Sequence, residues 1–271
     1  MKLNNIKARW NEGQTVLNGW LSIANAFSAE IMAQQGYDAL TIDLQHGFVG
    51  YEQATHMLQA MRASGVAPMV RVPWLEPGII MKSLDAGAWG IICPMISTAE
   101  QAQALVSCVR YPPQGSRSFG PTRVTFSAGQ DYGQHADDHV VCLAMIETAE
   151  AFDNIDAIVA TPGLDGVYIG PADLTLGLTG RKYRTGFDRT EPEIVDAIKH
   201  ILATAHRAGK KAGLHNGSAA YAANAAQWGF DLVTLSNDVQ LLRGAAASSV
   251  QQFRELIGDG QATQSTQPGG Y

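Results

Sequence analysis

Short apolar runs alternate with longer amphipathic stretches along most of the chain, and this rhythm predicts strand, helix, strand, helix. Residues 16–23 (VLNGWLSI) read as a first strand and 26–35 as a helix closed by Gly36. A second strand, 39–43 (ALTID), runs into LQHG, and a helix over 51–64 stops at Gly65. The third strand is 68–72 (PMVRV), ended by Pro73, and helix 77–86 leads to a fourth at 89–96 (WGIICPMI). Helix 98–109 is followed by an irregular stretch, 111–137, rich in Gly, Pro, Ser and Thr. Strands five (140–147, VVCLAMIE) and six (166–173, GVYIGPAD) flank helix 150–160, and each ends in an acid. A polar insertion at 177–190 precedes helix 191–208; then come strand 211–215 (KAGLH), helix 217–227, strand 231–236 (DLVTLS) and helix 238–256.

Eight such units in about 240 residues is the arithmetic of a (β/α)8 TIM barrel, with parallel strands and right-handed crossovers. A doubly wound open sheet is the alternative, but no GxGxxG fingerprint follows the first strand. No composition break marks a linker, so residues 1–259 read as one barrel domain. The remainder, 260–271 (GQATQSTQPGGY), reads as a disordered polar tail or one lying along a neighbouring subunit.

A hydrophobic share of 46% in 271 residues can bury a large core. The net charge of −6 argues against nucleic acid or an anionic membrane as partner, while a local arginine or a metal still admits a small acidic substrate. The start of the chain does not resemble a signal peptide and no apolar run approaches about 18 residues, which makes the cytoplasm the default location. Cys93, Cys108 and Cys142 show no CxxC spacing and read as buried thiols.

Chemistry in such a barrel gathers where the strands end. The sequence places there Trp20, Asp43 and His46, Arg71, Glu147, Asp173, His215 and Asn216, Ser236 and Asp238. Glu147 and Asp173 close neighbouring strands, and two carboxylates held together commonly share a divalent cation. A capping or salt-bridged surface acid would fit the position of Glu147 as well. Arg71 interrupts an apolar strand, as a guanidinium awaiting a buried anion would; a salt bridge to Asp43 or Asp85 also satisfies it. Asp43 and His46 have the spacing of a carboxylate that orients an imidazole, whereas a lone loop histidine is often merely solvated. His215 could touch substrate or metal, or simply bond the next loop.

Schiff-base aldol chemistry needs a lysine at a strand's carboxyl end. Lys210 and Lys211 precede strand seven, at the opposite end, and Lys82 lies in a helix. No GxSxG elbow or P-loop is present.

The strings TIDLQHG (41–47), VRVPWLEPGIIMKSLDAGAWGIICPMI (70–96), RYPPQGSRSFGPTR (110–123), MIET (145–148) and GVYIGPADL (166–174) closely resemble the HpcH/HpaI family of class II, metal-dependent pyruvate aldolases. The likeness runs from about residue 10 to 255, with its motifs in family order. It implies a pyruvate-type barrel, a hexamer whose C-terminal helix is swapped between subunits, and reversible addition of the enolate of pyruvate or hydroxypyruvate to an aldehyde. By position it implies Glu147 and Asp173 as ligands of Mg²⁺, Mn²⁺ or Co²⁺, Arg71 as the pyruvate-binding arginine, and His46 with Asp43 as the catalytic pair. It likewise implies Gly170 and Pro171 beside the pyruvate carboxylate and Asp85 near a subunit contact; with Trp20 at the end of strand one and Gln45, these are the residues expected to bind substrate. Gln45 stands where many members carry a glutamate that can lie close to the metal and its waters, and GSRSFGPTR replaces a commoner GIRG pattern on the acceptor side, where segment 115–127 is expected to cover the aldehyde. A related lyase acting on acyl-CoA thioesters is the second reading, and it would require basic residues for the CoA phosphates, which are not clustered here.

Overall fold

The structure is a computed structural model describing residues 4–258; the tail expected at 260–271 lies outside them. Eight parallel strands close in sequence order: β1 (Val16–Leu21), β2 (Ala39–Asp43), β3 (Ala67–Arg71), β4 (Gly90–Cys93), β5 (Val141–Ile146), β6 (Gly166–Ile169), β7 (Lys211–Asn216) and β8 (Leu232–Leu235). β8 pairs back onto β1, Val16 opposite Leu232, so the sheet has no edge and the open doubly wound alternative is excluded.

Every strand of this barrel is covered by helices outside and packed side chains inside, which is why the strands read as continuous apolar runs. Strand alternation nevertheless sorts the side chains. In β5, Val141, Leu143 and Met145 belong to the cluster inside the barrel, while Cys142, Ala144 and Ile146 pack outward beneath the helices. The same two-residue period assigns 16, 18 and 20, then 39, 41 and 43, then 67, 69 and 71 to the interior. Carried one step further, it sends 147, 168 and 215 inward as well.

Several elements differ from the sequence expectation. β4 ends at Cys93, because Pro94 has no N–H to continue the ladder. Helix 150–160 breaks at Asn154 into Ala149–Asp153 and Ile155–Val159. The stretch 111–137 contains two helices, Val124–Ala128 and Tyr132–His139, and the 177–190 insertion begins inside helix Pro171–Thr179. An unpredicted helix, Asn5–Asn11, closes the amino-terminal mouth of the barrel, burying Ile6 and Trp10. Asn4 caps it and donates to the carbonyls of Trp89 (3.1 Å) and His139 (2.7 Å), while Trp10 Nε1 donates to Asp231 O at 2.8 Å.

Among the described residues the last helix, Asp238–Leu256, is tied down at its start: Asp238 is buried and accepts the backbone N–H groups of Ser22 and Ile23. From Leu241 onward its residues are exposed, Leu242, Phe253 and Leu256 included. Among the described residues no helix is long and apolar enough to cross a membrane.

Candidate active site

A cavity of about 280 Å³ opens at the carboxyl ends of the strands, lined by Trp20, Asp43, His46, Arg71, Asp173 and His215 among others. Asp43 and Arg71 face each other in the register of β2 and β3 and form a two-point ion pair, Nε to Oδ1 at 2.8 Å and Nη2 to Oδ2 at 2.6 Å. The anion that Arg71 calls for is thus Asp43; Asp85 pairs elsewhere. Trp20 Nε1 also donates to Asp43 Oδ2 (3.2 Å), and the guanidinium carbon lies 4.8 Å from the Trp20 ring centre. Burial by itself would raise the Asp43 carboxyl, but the bonds and charge of Arg71 outweigh it and hold the group below the usual carboxylate range. A guanidinium has five N–H donors and Asp43 takes two, so Nη1 and one N–H of Nη2 are left over.

Asp43 meets His46 through the backbone: Oδ1 accepts the N–H groups of Gln45 (3.1 Å) and His46 (3.2 Å). The carboxylate expected to orient the imidazole instead folds the loop that carries it. His46 itself is exposed at the cavity wall. Gln45 Oε1 is buried with no hydrogen-bond partner, an acceptor that an incoming donor or cation would satisfy.

Glu147 follows the inward parity of β5 and lies 3% exposed, just behind the cavity wall. Its Oε1 accepts the N–H of Met95 at 2.8 Å. Met95 has φ 56°, in the left-handed region, a conformation that costs a non-glycine residue about 1–2 kcal/mol and that the charged hydrogen bond offsets. On the other side stands Gly170, where a Cβ would come within 2.6 Å of both Glu147 Oε2 and Met145 Cε, so any side chain there would displace the carboxylate and the thioether methyl from their present positions. Pro171 then starts helix Pro171–Thr179, and Asp173 in its first turn lines the cavity. Burial pushes the Glu147 carboxyl up to about 7, with the Asp173 charge adding and the Met95 N–H and Arg71 opposing.

Two carboxylates that repel one another, one of them driven into the neutral range, form a donor set that fits a divalent cation. Among the described residues no group of three His, Cys, Asp or Glu side chains forms a metal-sized cluster. A cation here would therefore have two protein carboxylates as its acidic ligands, the open coordination that the pair implied by sequence requires.

Within one chain, Asp85 and segment 115–127 are not brought to the cavity. Asp85 is away from the cavity: its Oδ1 accepts from Arg117 Nη2 at 2.7 Å, and Arg117 is buried and also bonds Tyr132 Oη. That same pair draws segment 115–127 to the flank, so within one chain it does not cover the cavity as expected for the aldehyde. Sequence reasoning missed Met145, whose parity was the available signal, and Phe187, an aromatic within the polar insertion that packs 4.3 Å from the His215 ring.

Comparisons with known proteins identify the family. The chain is 43% identical over 254 residues to a hydroxypyruvate/pyruvate aldolase of Rhizorhabdus wittichii, covering 94% of this chain and 100% of that protein. It is 33% identical to a 5-keto-4-deoxy-D-glucarate aldolase of Klebsiella pneumoniae, covering 93% and 97%. The crystal structure of an HpcH/HpaI aldolase/citrate lyase family protein from Burkholderia cenocepacia superposes with a TM-score of 0.84 at 32% identity, covering 93% and 99%. Residues 16–242 match the family itself, and the chain belongs to the HpcH/HpaI aldolases and citrate lyases.

Proposed function

We propose that this protein is a divalent-metal-dependent carbon–carbon lyase that adds the enolate of pyruvate or hydroxypyruvate to an aldehyde, reversibly, giving a 4-hydroxy-2-oxo acid. The observation that carries the reading is a guanidinium locked by Asp43 in the cavity wall, together with Asp173 lining the cavity and Glu147 buried just behind it with its carboxyl pushed up to about 7. The family is generally divalent-metal dependent. Mg²⁺, Mn²⁺ or Co²⁺ held by Glu147 and Asp173 would supply Lewis-acid polarisation of the 2-oxo carbonyl.

The chain's own residues do the rest. Arg71, fixed by Asp43, turns its spare N–H donors toward the oxygen on which enolate charge develops, and a preorganised donor of this kind contributes roughly 3 kcal/mol. His46 takes the proton from C3 of the 2-oxo acid; the C3–C4 bond forms on the aldehyde carbon, and the proton returns to the new C4 oxygen. In cleavage the same group removes the proton from the C4 hydroxyl. Trp20, Met145 and Phe187 provide apolar wall that limits water around the enolate.

Arg71 is the one arginine or lysine lining the cavity among the described residues, and Asp43 already pairs with it. CoA phosphates would find no second cation, which sets the acyl-CoA reading behind the aldolase reading. The exposed apolar residues of helix Asp238–Leu256 support a homo-oligomer in which a neighbouring subunit covers them, with a hexamer as the expected state, and a cytoplasmic location accompanies this reading.

Exchange of the pyruvate methyl protons in deuterated water, followed by NMR with and without a chelator, tests the proposal. Exchange that stops on chelation and returns with Mn²⁺ supports it. Exchange indifferent to chelator, or activity on a CoA thioester with none on free pyruvate, overturns it.

A further inference from the structure

A chain of hydrogen bonds runs through the barrel interior from Asn18 to His215, and its direction is fixed at one end. The Asn18 amide faces the carbonyl oxygens of Gly19 and Ala39, each 3.2 Å away, with one of its two atoms, and the hydroxyl of Thr234 at 2.9 Å with the other. Backbone carbonyls only accept, so the atom facing them is the nitrogen; the opposite orientation would set oxygen against oxygen twice. The amide oxygen then faces Thr234 and must accept from it, which uses the only proton of that hydroxyl.

Every later link follows. Thr234 Oγ1 lies 2.6 Å from Tyr168 Oη and can only accept, so the phenol donates. Tyr168 Oη, its proton spent, lies 3.0 Å from His215 Nδ1 and must accept, so the imidazole carries its proton on Nδ1. His215 has no other hydrogen bond among the described residues, and its ring lines the cavity. The ring is neutral: burial lowers its pKa to about 3, with the Arg71 charge adding to the effect. Nδ1 is turned to the interior, which leaves Nε2, as a bare lone pair, for whatever occupies the cavity.

We propose that His215 is a specificity-determining residue whose Nε2 accepts a hydrogen bond from a substrate hydroxyl adjacent to the reacting carbonyl. Such a hydroxyl comes from two sources, the C3 hydroxyl of hydroxypyruvate or the C2 hydroxyl of an aldehyde such as glycolaldehyde. The cavity offers this group an acceptor that is neutral and already oriented, while Trp20 and Phe187 pack against the imidazole at 4.8 and 4.3 Å between ring centres and fix its plane. A substrate lacking the hydroxyl leaves the lone pair unmatched.

The inference rests on the aldolase reading, and the experiment separates the two. The holoenzyme is assayed with hydroxypyruvate or pyruvate against glycolaldehyde or acetaldehyde, wild type beside His215→Phe. The expected result is a loss of about tenfold in the kcat/KM ratio of hydroxylated over unhydroxylated substrate, in the donor arm or in the acceptor arm, which names the source. A ratio unchanged in both arms overturns the proposal and leaves the aldolase reading standing; no turnover by wild type in any arm overturns the aldolase reading.

A second measurement needs no variant. In protein labelled with ¹⁵N-histidine, the ring that stays neutral as the pH is lowered to about 4 should show a pyridine-like Nε2 and a protonated Nδ1. That Nε2 signal should move on adding whichever hydroxylated compound is the source, and not with its unhydroxylated partner. A protonated Nε2, or no response to either hydroxylated compound, overturns the proposal whatever the kinetics.

Discussion

Asp43 and Arg71, paired in register across β2 and β3, spend both carboxylate oxygens and two of five guanidinium donors on each other. The bond holds the guanidinium plane still in the wall of the cavity and leaves three of its donors unused by Asp43. Arg71→Ala is expected to lower aldol turnover and pyruvate methyl exchange together, by roughly 100-fold. It also leaves Asp43 buried without its partner, at a cost on the order of 3–5 kcal/mol, visible as a lower urea midpoint. Arg71→Lys restores the charge without the fork and should recover stability more than rate; equal recovery of both would show that the two-point geometry is not what catalysis uses.

Gly170 yields a sharper test of the carboxylate pair. A methyl group there would press within 2.6 Å of Glu147 Oε2 and Met145 Cε, so Gly170→Ala should push the carboxylate off its position while the backbone, at φ −96°, remains comfortable. The expected outcome is a loss of at least about tenfold in Mn²⁺ affinity with a far-ultraviolet circular dichroism spectrum like that of the wild type. Wild-type metal affinity in a folded variant would remove Glu147 from the metal site.

Much of this site was legible in the sequence because alternation does not depend on packing. Once 39–43 and 68–72 are strands, Asp43 and Arg71 follow as residues at their carboxyl ends, and the acids after strands five and six follow likewise. The partners were less legible. Arg71 takes Asp43 rather than Asp85 because register, a property of two strands, sets them opposite. Segment 111–137 hid two helices, since Arg117 buries itself against Asp85 and Tyr132 and no local period announces a tertiary ion pair. Helix Asn5–Asn11 was invisible for a similar reason: two apolar anchors, Ile6 and Trp10, form no repeat until a barrel mouth exists to receive them.

Glu147 makes cation binding pH-dependent. With the free carboxyl pushed up to about 7, the metal must displace a proton below that value. Between pH 8 and pH 6 the apparent Mn²⁺ affinity should fall about tenfold, with close to one proton released per ion at the lower pH. Calorimetry in two buffers of different ionisation enthalpy measures that proton directly. Proton release that persists in Glu147→Gln would assign it to another group.

Helix Asp238–Leu256 predicts an assembly. Leu242 is 65% exposed and Phe253 61%, on a helix anchored at its start through Asp238, an apolar surface that a single chain leaves wet. Replacing both with aspartate should shift the sedimentation coefficient to that of a smaller species while circular dichroism is kept. An unchanged coefficient would mean that these side chains are not in the interface.

His215 predicts how stability responds to acid. Its pKa is about 3 in the folded chain and near 6.5 when unfolded, so the folded state prefers the neutral ring. The sign follows: the contribution is complete above pH 6.5 and is lost as the pH falls toward 3, because the unfolded chain binds the proton first. Between pH 7.5 and pH 5 the loss is about 2 kcal/mol. Glu147 works the other way in the metal-free protein, since its folded pKa is raised and acidification relieves it, so the wild-type curve alone can look flat. The measurement is therefore a difference. Urea unfolding of wild type and His215→Phe, both with chelator, should give curves whose separation changes by about 2 kcal/mol across this range, because the Glu147 contribution cancels while the histidine contribution does not. A separation independent of pH would place the proton of His215 elsewhere and with it the direction of the whole Asn18–Thr234–Tyr168 chain.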